Sequence, residues 1–375
     1  MREQVAISLA GLMLFTAGCE NAKGKMPFSA WTAGMQGSKS QKPTTQDVGE
    51  QNVHHQWQGK SSPSLYDGGL FVRGDFLYWR ADEEGLEYGL SETINASDPK
   101  ISTRVVSPKV RWNPAFRVGI GYTFESQDFW DLAALWTHFD TKQNDSKSGT
   151  VLPWWGSTLL GNVTTHAHAE WKLNYNTYDL DLGRNYFIAR TVSMHPFVGL
   201  RGATIHQDYS ARYRALEPLE ASTSFKAKTH FWGVGAHIGS GLQWRMNSCL
   251  SLIGNLGGSL LYGDFRIREK YNAFIPINNI ITQTVPLTLN QHITTGSFNV
   301  EALIGFQWER FFFKNRYRLA ITAGYEWSEW FSQNRIKKFT QIPASNGGAS
   351  TTDAMTDQNG DLTLQGANLQ VRWDF

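Results

Sequence analysis

The chain has 375 residues, a formal net charge of +2 and 13% aromatic residues. Basic and acidic residues are mixed throughout, which excludes an electrostatic footprint for nucleic acid and a polybasic tail for a membrane surface. Mean hydropathy is mildly polar, and past the N-terminus no segment approaches the about 20 apolar residues that a spanning helix needs. A chain rich in aromatics and glycine yet polar on average fits membrane-spanning strands, because only every second residue must be apolar and hydropathy averages out.

In chain order, the first element is an apolar run from Val5 to Ala17, too short to span and ending in small residues. It reads as a secretory signal over 1–19. Thr16-Ala17-Gly18-Cys19 resembles a lipoprotein cleavage box with Cys19 as lipid acceptor, although Thr16 replaces the usual large aliphatic residue. Ordinary cleavage near Gly18 is the alternative. The only other cysteine is Cys249. One or both are expected as thiols; a Cys19–Cys249 bond is left open, with nothing in the sequence to support it. Residues 20–64 are polar and without period, as in a disordered periplasmic linker. The pair His54-His55 within it reads as solvated.

From 65 to 375 the sequence predicts an all-β, antiparallel up-and-down transmembrane barrel. Ten strands are expected over 69–80, 110–124, 128–140, 167–183, 187–205, 230–246, 249–264, 296–310, 316–330 and 362–375, with eight to twelve as bounds. The second is the clearest: Phe116, Val118, Ile120 and Tyr122 share one face, Arg117, Gly119 and Gly121 the other. In the fourth, Trp171, Leu173 and Tyr175 give way to Tyr178, Leu180 and Leu182, which predicts a bulge near Asn176. Pro196 makes the fifth the least certain.

Short connections follow the even strands, and long ones follow the odd strands (81–109, 141–166, 206–229, 265–295, 331–361). That is the arrangement of tight periplasmic turns and long extracellular loops. A soluble sandwich or lipocalin-like barrel also alternates, but a dry core does not tolerate so many charges. The lumen-lining candidates are Arg111, Arg117, Asp131, Lys172, Asp179, Arg201, Arg245, Glu301 and Arg318. Aromatics near strand ends, including Tyr78, Trp79, Trp130, Trp136, Trp171, Trp232, Trp244, Trp308, Tyr325, Trp327 and Trp373, are expected in the two interfacial girdles. Leu369, Val371, Trp373 and Phe375 alternate on one face and resemble the assembly signal of outer-membrane proteins.

Several stretches resemble the pore-forming major outer membrane protein family of Legionella, also found in chlamydia-related bacteria. They are Gly74 to Arg80 with Glu84 to Tyr88, Pro196 to Ala203, Phe231 to Gly235, Gly324 to Phe331, and Asp361 to Gly366. The likeness covers roughly 65–375. It implies a porin passing ions and small hydrophilic solutes, located in the outer membrane. It also implies contact with lipid, lipopolysaccharide and the barrel-assembly machinery; a homo-oligomer is left open.

Two other readings stand beside the porin. One is a structural envelope protein or surface adhesin whose lumen is plugged by paired charges, since a ten-stranded barrel is narrow enough to be filled. The other is a rim-site hydrolase. The omptins are ten-stranded outer-membrane proteases with Asp and His at the outer rim, and here His138, Asp140, His166, His168, His206 and Asp208 fall near outer strand ends. Their spacing matches no catalytic motif and no nucleophile accompanies them, so no enzyme is expected. No Walker loop, dinucleotide fingerprint, zinc spacing or EF-hand is present, so no cofactor is expected. Gly233, Gly235, Gly239 and Gly241 have strict strand parity and fit close packing rather than a phosphate loop.

Overall fold

The computed structural model describes residues 69–94, 101–124, 130–155, 164–215, 221–277, 280–283, 287–313, 316–343 and 351–375. The expected signal, the linker and Cys19 lie outside them. The strands are β1 (Gly69–Glu83), β2 (Gly89–Ile94), β3 (Ile101–Val106), β4 (Trp112–Thr123), β5 (Trp130–Pro153), β6 (Thr164–Arg184) and β7 (Tyr186–Phe187). There follow β8 (Val192–Ala215), β9 (Ala221–Arg245), β10 (Leu250–Ile277), β11 (Ile280–Gln283), β12 (Leu287–Phe312), β13 (Tyr317–Pro343) and β14 (Thr351–Asp374).

Ten of these close a ring in the order β1-β4-β5-β6-β8-β9-β10-β12-β13-β14, and β14 returns to β1 antiparallel from Phe71↔Asp374 to Glu83↔Leu362. Every neighbour is antiparallel, and the closed ring has no free edge. The remaining four strands are short. The hairpin β2–β3 attaches to the far end of β5, while β7 and β11 pair locally with β8 and β10. On one side of β8 Pro196 falls in the gap between the β6 pair Gly183↔Phe197 and the β7 pair Tyr186↔Met194, and on the other it is in register with Ser240 of β9. Gly235 faces inward with the backbone of Leu260 so close that no Cβ fits. Cys249, in the turn between β9 and β10, is disulfide-bonded.

Residues in register across neighbouring strands form rows around the barrel. One outward row is Ala134–Leu180–Leu200–Ala236–Leu260–Phe298, all exposed. Leucine and phenylalanine this exposed, in a continuous belt, demand an apolar solvent. Behind that belt the inward positions are polar, with Asp179, Arg201, His237 and Asn299 buried inside the ring. The next outward row carries Trp136, Tyr178 and Tyr262, with Trp136 and Tyr178 stacked at 6.5 Å between centroids. Three rows above the belt the outward residues are Asp140–Asn174–His206–His230–Arg266–His292. At that height the inward row is Phe139–Tyr175–Ile205–Phe231–Phe265, every member buried.

The polarity of the two faces therefore exchanges at the aromatic row while the strands continue. This corrects the expected bulge at Asn176: β6 pairs with β5 from Trp130↔Arg184 to Ser148↔His166 without a break there. From His166 to Arg184 the even-numbered residues of β6 point outward. Trp171, Leu173 and Tyr175 are apolar because they face a core, and Tyr178, Leu180 and Leu182 because they face lipid. Register shifts do occur elsewhere, between Ser148 and Val151 and between Trp330 and Asn334, where Ser332 takes a φ of 53°.

Two further expectations change for the same reason. Much of the expected long loops is strand: 141–153, 206–215, 221–229, 265–277, 287–295, 331–343 and 351–361 continue the ladder above the belt. Trp79 and Trp171 are not girdle residues; both point inward and are fully buried. The opposite girdle, at the short-turn end, contains Trp373 between Phe312 and Tyr317, with centroids 6.0 and 6.2 Å away. Leu369, Val371 and Phe375 are exposed on the lipid face.

Candidate functional site

The site is the lumen, which has two unlike halves. The half toward the short turns holds a polar cavity of about 320 Å³, open at that end and bounded by Arg73, Arg117, Asp131, Arg201, His237 and Glu301 among others. Its inner limit is a set of charge pairs that cross the barrel. Arg117 on β4 donates to Glu326 on β13 at 2.6 Å and to Asp75 on β1 at 3.2 Å, and Asn368 donates to the other Glu326 oxygen at 2.7 Å. Arg201 on β8 grips Asp179 with two donors at 2.6 and 2.9 Å, and reaches Glu301 on β12 at 2.8 Å. His237 lies between Asp181 at 2.8 Å and Glu301 at 3.1 Å. Nearer the opening, His195 meets Asp131 at 2.6 Å, and Arg245 and Arg318 both approach Glu309, at 3.5 and 3.4 Å.

The far half is filled with apolar side chains. Leu77, Trp79, Phe139, Trp171, Phe231 and Trp330 belong to one buried cluster. The connection after β1 and the end of β5 fold inward to complete it. Leu86, Tyr88 and Trp155 are buried, and their backbones are held by the barrel wall. Tyr213 donates to the Tyr88 carbonyl at 2.6 Å, Tyr209 to the Leu86 carbonyl at 3.1 Å, and the Trp155 indole to the Glu87 carbonyl at 2.6 Å. Burial pushes the Tyr209 and Tyr213 hydroxyls well above the usual phenol range, so both are fixed as neutral donors. Tyr88 donates to Asp145 at 2.7 Å. This inserted segment stoppers the lumen.

Of the predicted lumen residues, the fold brings Arg117, Asp131, Asp179, Arg201, Arg245, Glu301 and Arg318 inside the ring. Arg111 and Lys172 are not there. Arg111 precedes β4, is exposed, and reaches Asn144 at 3.3 Å. Lys172 is exposed on the outer wall beside Glu170 at 3.1 Å, because β6 lacks the expected bulge and its parity is the reverse of that assumed. Asp75, Asp181 and Glu326 were missed. Strand parity marks each of them, since Phe76, Leu180 and Tyr325 next to them face lipid. The rim residues do not converge on a site. His138 contacts Asn176 at 2.8 Å and Asp140 at 2.9 Å, His166 and His168 contact Ser148 and Ser146, and His206 meets His230 edge-on at 4.6 Å between centroids. Among the described residues no group of three or more His, Cys, Asp or Glu is placed to hold a metal.

A family model described as Legionella pneumophila major outer membrane protein precursor matches residues 66–375. The chain belongs to that family. It is therefore an outer-membrane protein; in such barrels short turns face the periplasm and long connections the outside. A search of curated protein sequences finds no match. Among solved structures, the outer membrane protease OmpT from Escherichia coli is similar at 11% identity and a TM-score of 0.34, with 83% of this chain and 97% of that one covered. The toluene transporter TodX of Pseudomonas putida is similar at 8% identity and a TM-score of 0.27, covering 82% and 90%. A FadL homologue of Pseudomonas aeruginosa follows at 7% and 0.23, covering 82% and 90%. At these scores the likenesses carry no argument about function.

Two outcomes follow from the charge arrangement. Arg201→Met strands Asp179 and Glu301 inside the ring, and breaking a buried pair from one side costs about 3–5 kcal/mol. The variant is expected to lose its heat-resistant folded band on gels at markedly lower temperature, with partial recovery when Asp179→Asn and Glu301→Gln are added. Glu83 lies above the belt, buried, with Gln207 donating to it at 3.3 Å. Burial raises its carboxyl well above the ordinary range. A raised acid contributes full stability below its unfolded value and loses it as pH rises through the folded value. Glu83→Gln is therefore expected to raise the unfolding temperature at pH 8 and to leave it unchanged at pH 4, measured by thermal scans in detergent.

Proposed function

We propose that the chain is a non-enzymatic outer-membrane pore for ions and small hydrophilic solutes, gated by its inserted extracellular segment. The observation that carries this reading is the charged, water-open vestibule on the periplasmic side, ending at ion pairs that bridge the lumen. A barrel serving only as an anchor has no need of such a cavity, and filling it with apolar side chains of similar volume is often neutral or stabilising. The vestibule's Arg, Asp, Glu and His side chains offer alternating partners to a hydrated ion, as rings of charge do in other pores. Passage requires the Leu86–Tyr88 and Trp155 stopper to move, so low conductance and infrequent opening are expected at rest.

The burial of that stopper favours a second reading, a permanently plugged barrel that displays its extracellular wall. The test is single-channel recording of the refolded wild type and of a variant carrying Leu86→Ser, Tyr88→Ala and Trp155→Ala. The gated pore gives rare small openings in the wild type and at least a tenfold higher open probability in the variant. Lipid-baseline current from both proteins, with both folded by gel shift, overturns the pore in favour of the plug.

A further inference from the structure

Above the closed ring, β12 and β13 part. Their ladder ends at Asn299↔Trp330, yet β12 extends up to Leu287 and β13 to Pro343. Among the described residues, Leu287–Phe298 pairs with β10 alone, so one edge of that stretch carries no ladder. Lys, Arg, Asp, Glu and Pro are missing from 287–298. Charges and proline are what guard an edge meant to stay free, and this edge has neither.

The upper part of β13 leans across the mouth instead. From Asn334 to Pro343 it pairs with β14, and side chains from the inner face of β10 meet its other edge. The Lys337 amide donates to Glu269 at 2.8 Å, and the Tyr271 hydroxyl donates to the Lys337 carbonyl at 3.4 Å. Two contacts tie this hairpin to the stopper. The Asn334 side chain donates to the Glu84 carbonyl at 2.7 Å, and the Lys338 ammonium lies 3.7 Å from the Trp154 ring centre. The bend falls at the register shift between Trp330 and Asn334, where Ser332 holds a left-handed φ of 53°.

Extending the β12–β13 register past Trp330 brings Thr295 to Asn334, Ile293 to Ile336 and Gln291 to Lys338. The faces agree. Ile336 belongs to the buried core and Ile293 packs against it, while Thr294 between the inward positions is exposed. We propose that the free edge of β12 is the second seat of the β13–β14 hairpin. Hinged at Ser332, the hairpin swings off the mouth and zips β13 onto Leu287–Phe298. That exchange breaks the ties to Glu269, Tyr271, Glu84 and Trp154 and replaces them with ladder bonds. The β12 edge, hydrated in the first seat, is paired in the second, so neither seat leaves backbone groups unmet. Release of Glu84 and Trp154 frees the neighbouring Leu86–Tyr88 and Trp155. As a gate the hairpin rests on the pore reading above; as a hinge it does not.

The test is disulfide trapping of the full chain in liposomes, in a background carrying Cys19→Ser and Cys249→Ser. Gln291→Cys with Lys338→Cys is expected to bridge within one chain under mild oxidant. It should do so at least tenfold faster than Gln291→Cys with Gln358→Cys, whose second site lies on β14. Thr294→Cys with Arg335→Cys, in the same register, repeats the test should the first pair not fold. In planar bilayers the bridged form should open at least ten times as often as its own reduced form. Glu269→Cys with Lys337→Cys should instead hold the hairpin down and cut openings at least tenfold. Bridging no faster than the β14 control, bridges between two copies, or unchanged opening of a conducting channel each overturns the proposal. Lipid-baseline current from every form overturns the pore reading alone, and the bridging rates still judge the hinge.

Discussion

Hydrocarbon offers no hydrogen-bond partner, so a strand may cross it only if both its edges are paired, and each unpaired group costs several kcal/mol. Closure of β14 on β1 meets that constraint, and the rest of the architecture depends on it. Once the ring is closed, two solvents act on its two surfaces. Inside the bilayer the outer surface meets lipid, so Leu180, Leu200 and Leu260 are exposed there while Asp179, Arg201 and His237 face inward. Above the bilayer the outer surface meets water, and the same strands invert their assignment.

The inversion explains how a ten-stranded ring can be both wet and dry inside. The membrane-embedded half encloses charges that satisfy one another across the lumen, Arg117 with Glu326 and Arg201 with Glu301. The extracellular half needs cohesion of its own, because lipid no longer supports it. It obtains this as a soluble protein does, by burying Trp171, Phe231, Phe265 and Trp330. The connection after β1 adds Leu86 and Tyr88 to the same core, so one apolar cluster both stabilises the tall wall and stoppers the passage.

Much of this was legible in the residues. Alternation located all ten ring strands, and the parity of Phe116, Val118 and Ile120 placed Arg117 in the lumen. What was not legible was the meaning of a phase change. In β6 a switch from odd to even apolar positions reads equally as a bulge or as a strand leaving the membrane. Only the unbroken register with β5 and β8 decides for the second. The same ambiguity hid the upper strands: Ile205, Tyr209, Ala211 and Tyr213 alternate well, but on the face opposite to Val198 and Leu200. The Leu86–Tyr88 insertion has no periodic signal, since its burial depends on tertiary contacts with Tyr209 and Tyr213.

The central claim is that lipid contact ends between Trp232 and His230 while the strand runs on. Spin labels placed singly at Ala236, Val234, His230, Lys228 and Lys226 of β9, in a background carrying Cys19→Ser and Cys249→Ser, measure it directly in liposomes. The account predicts that Ala236 and Val234 are reached by oxygen and shielded from a water-soluble nickel chelate. At His230, Lys228 and Lys226 the preference should reverse, with the low mobility of ordered strand retained. Oxygen-dominated exposure at Lys228 and Lys226, or loop-like mobility there, would contradict it.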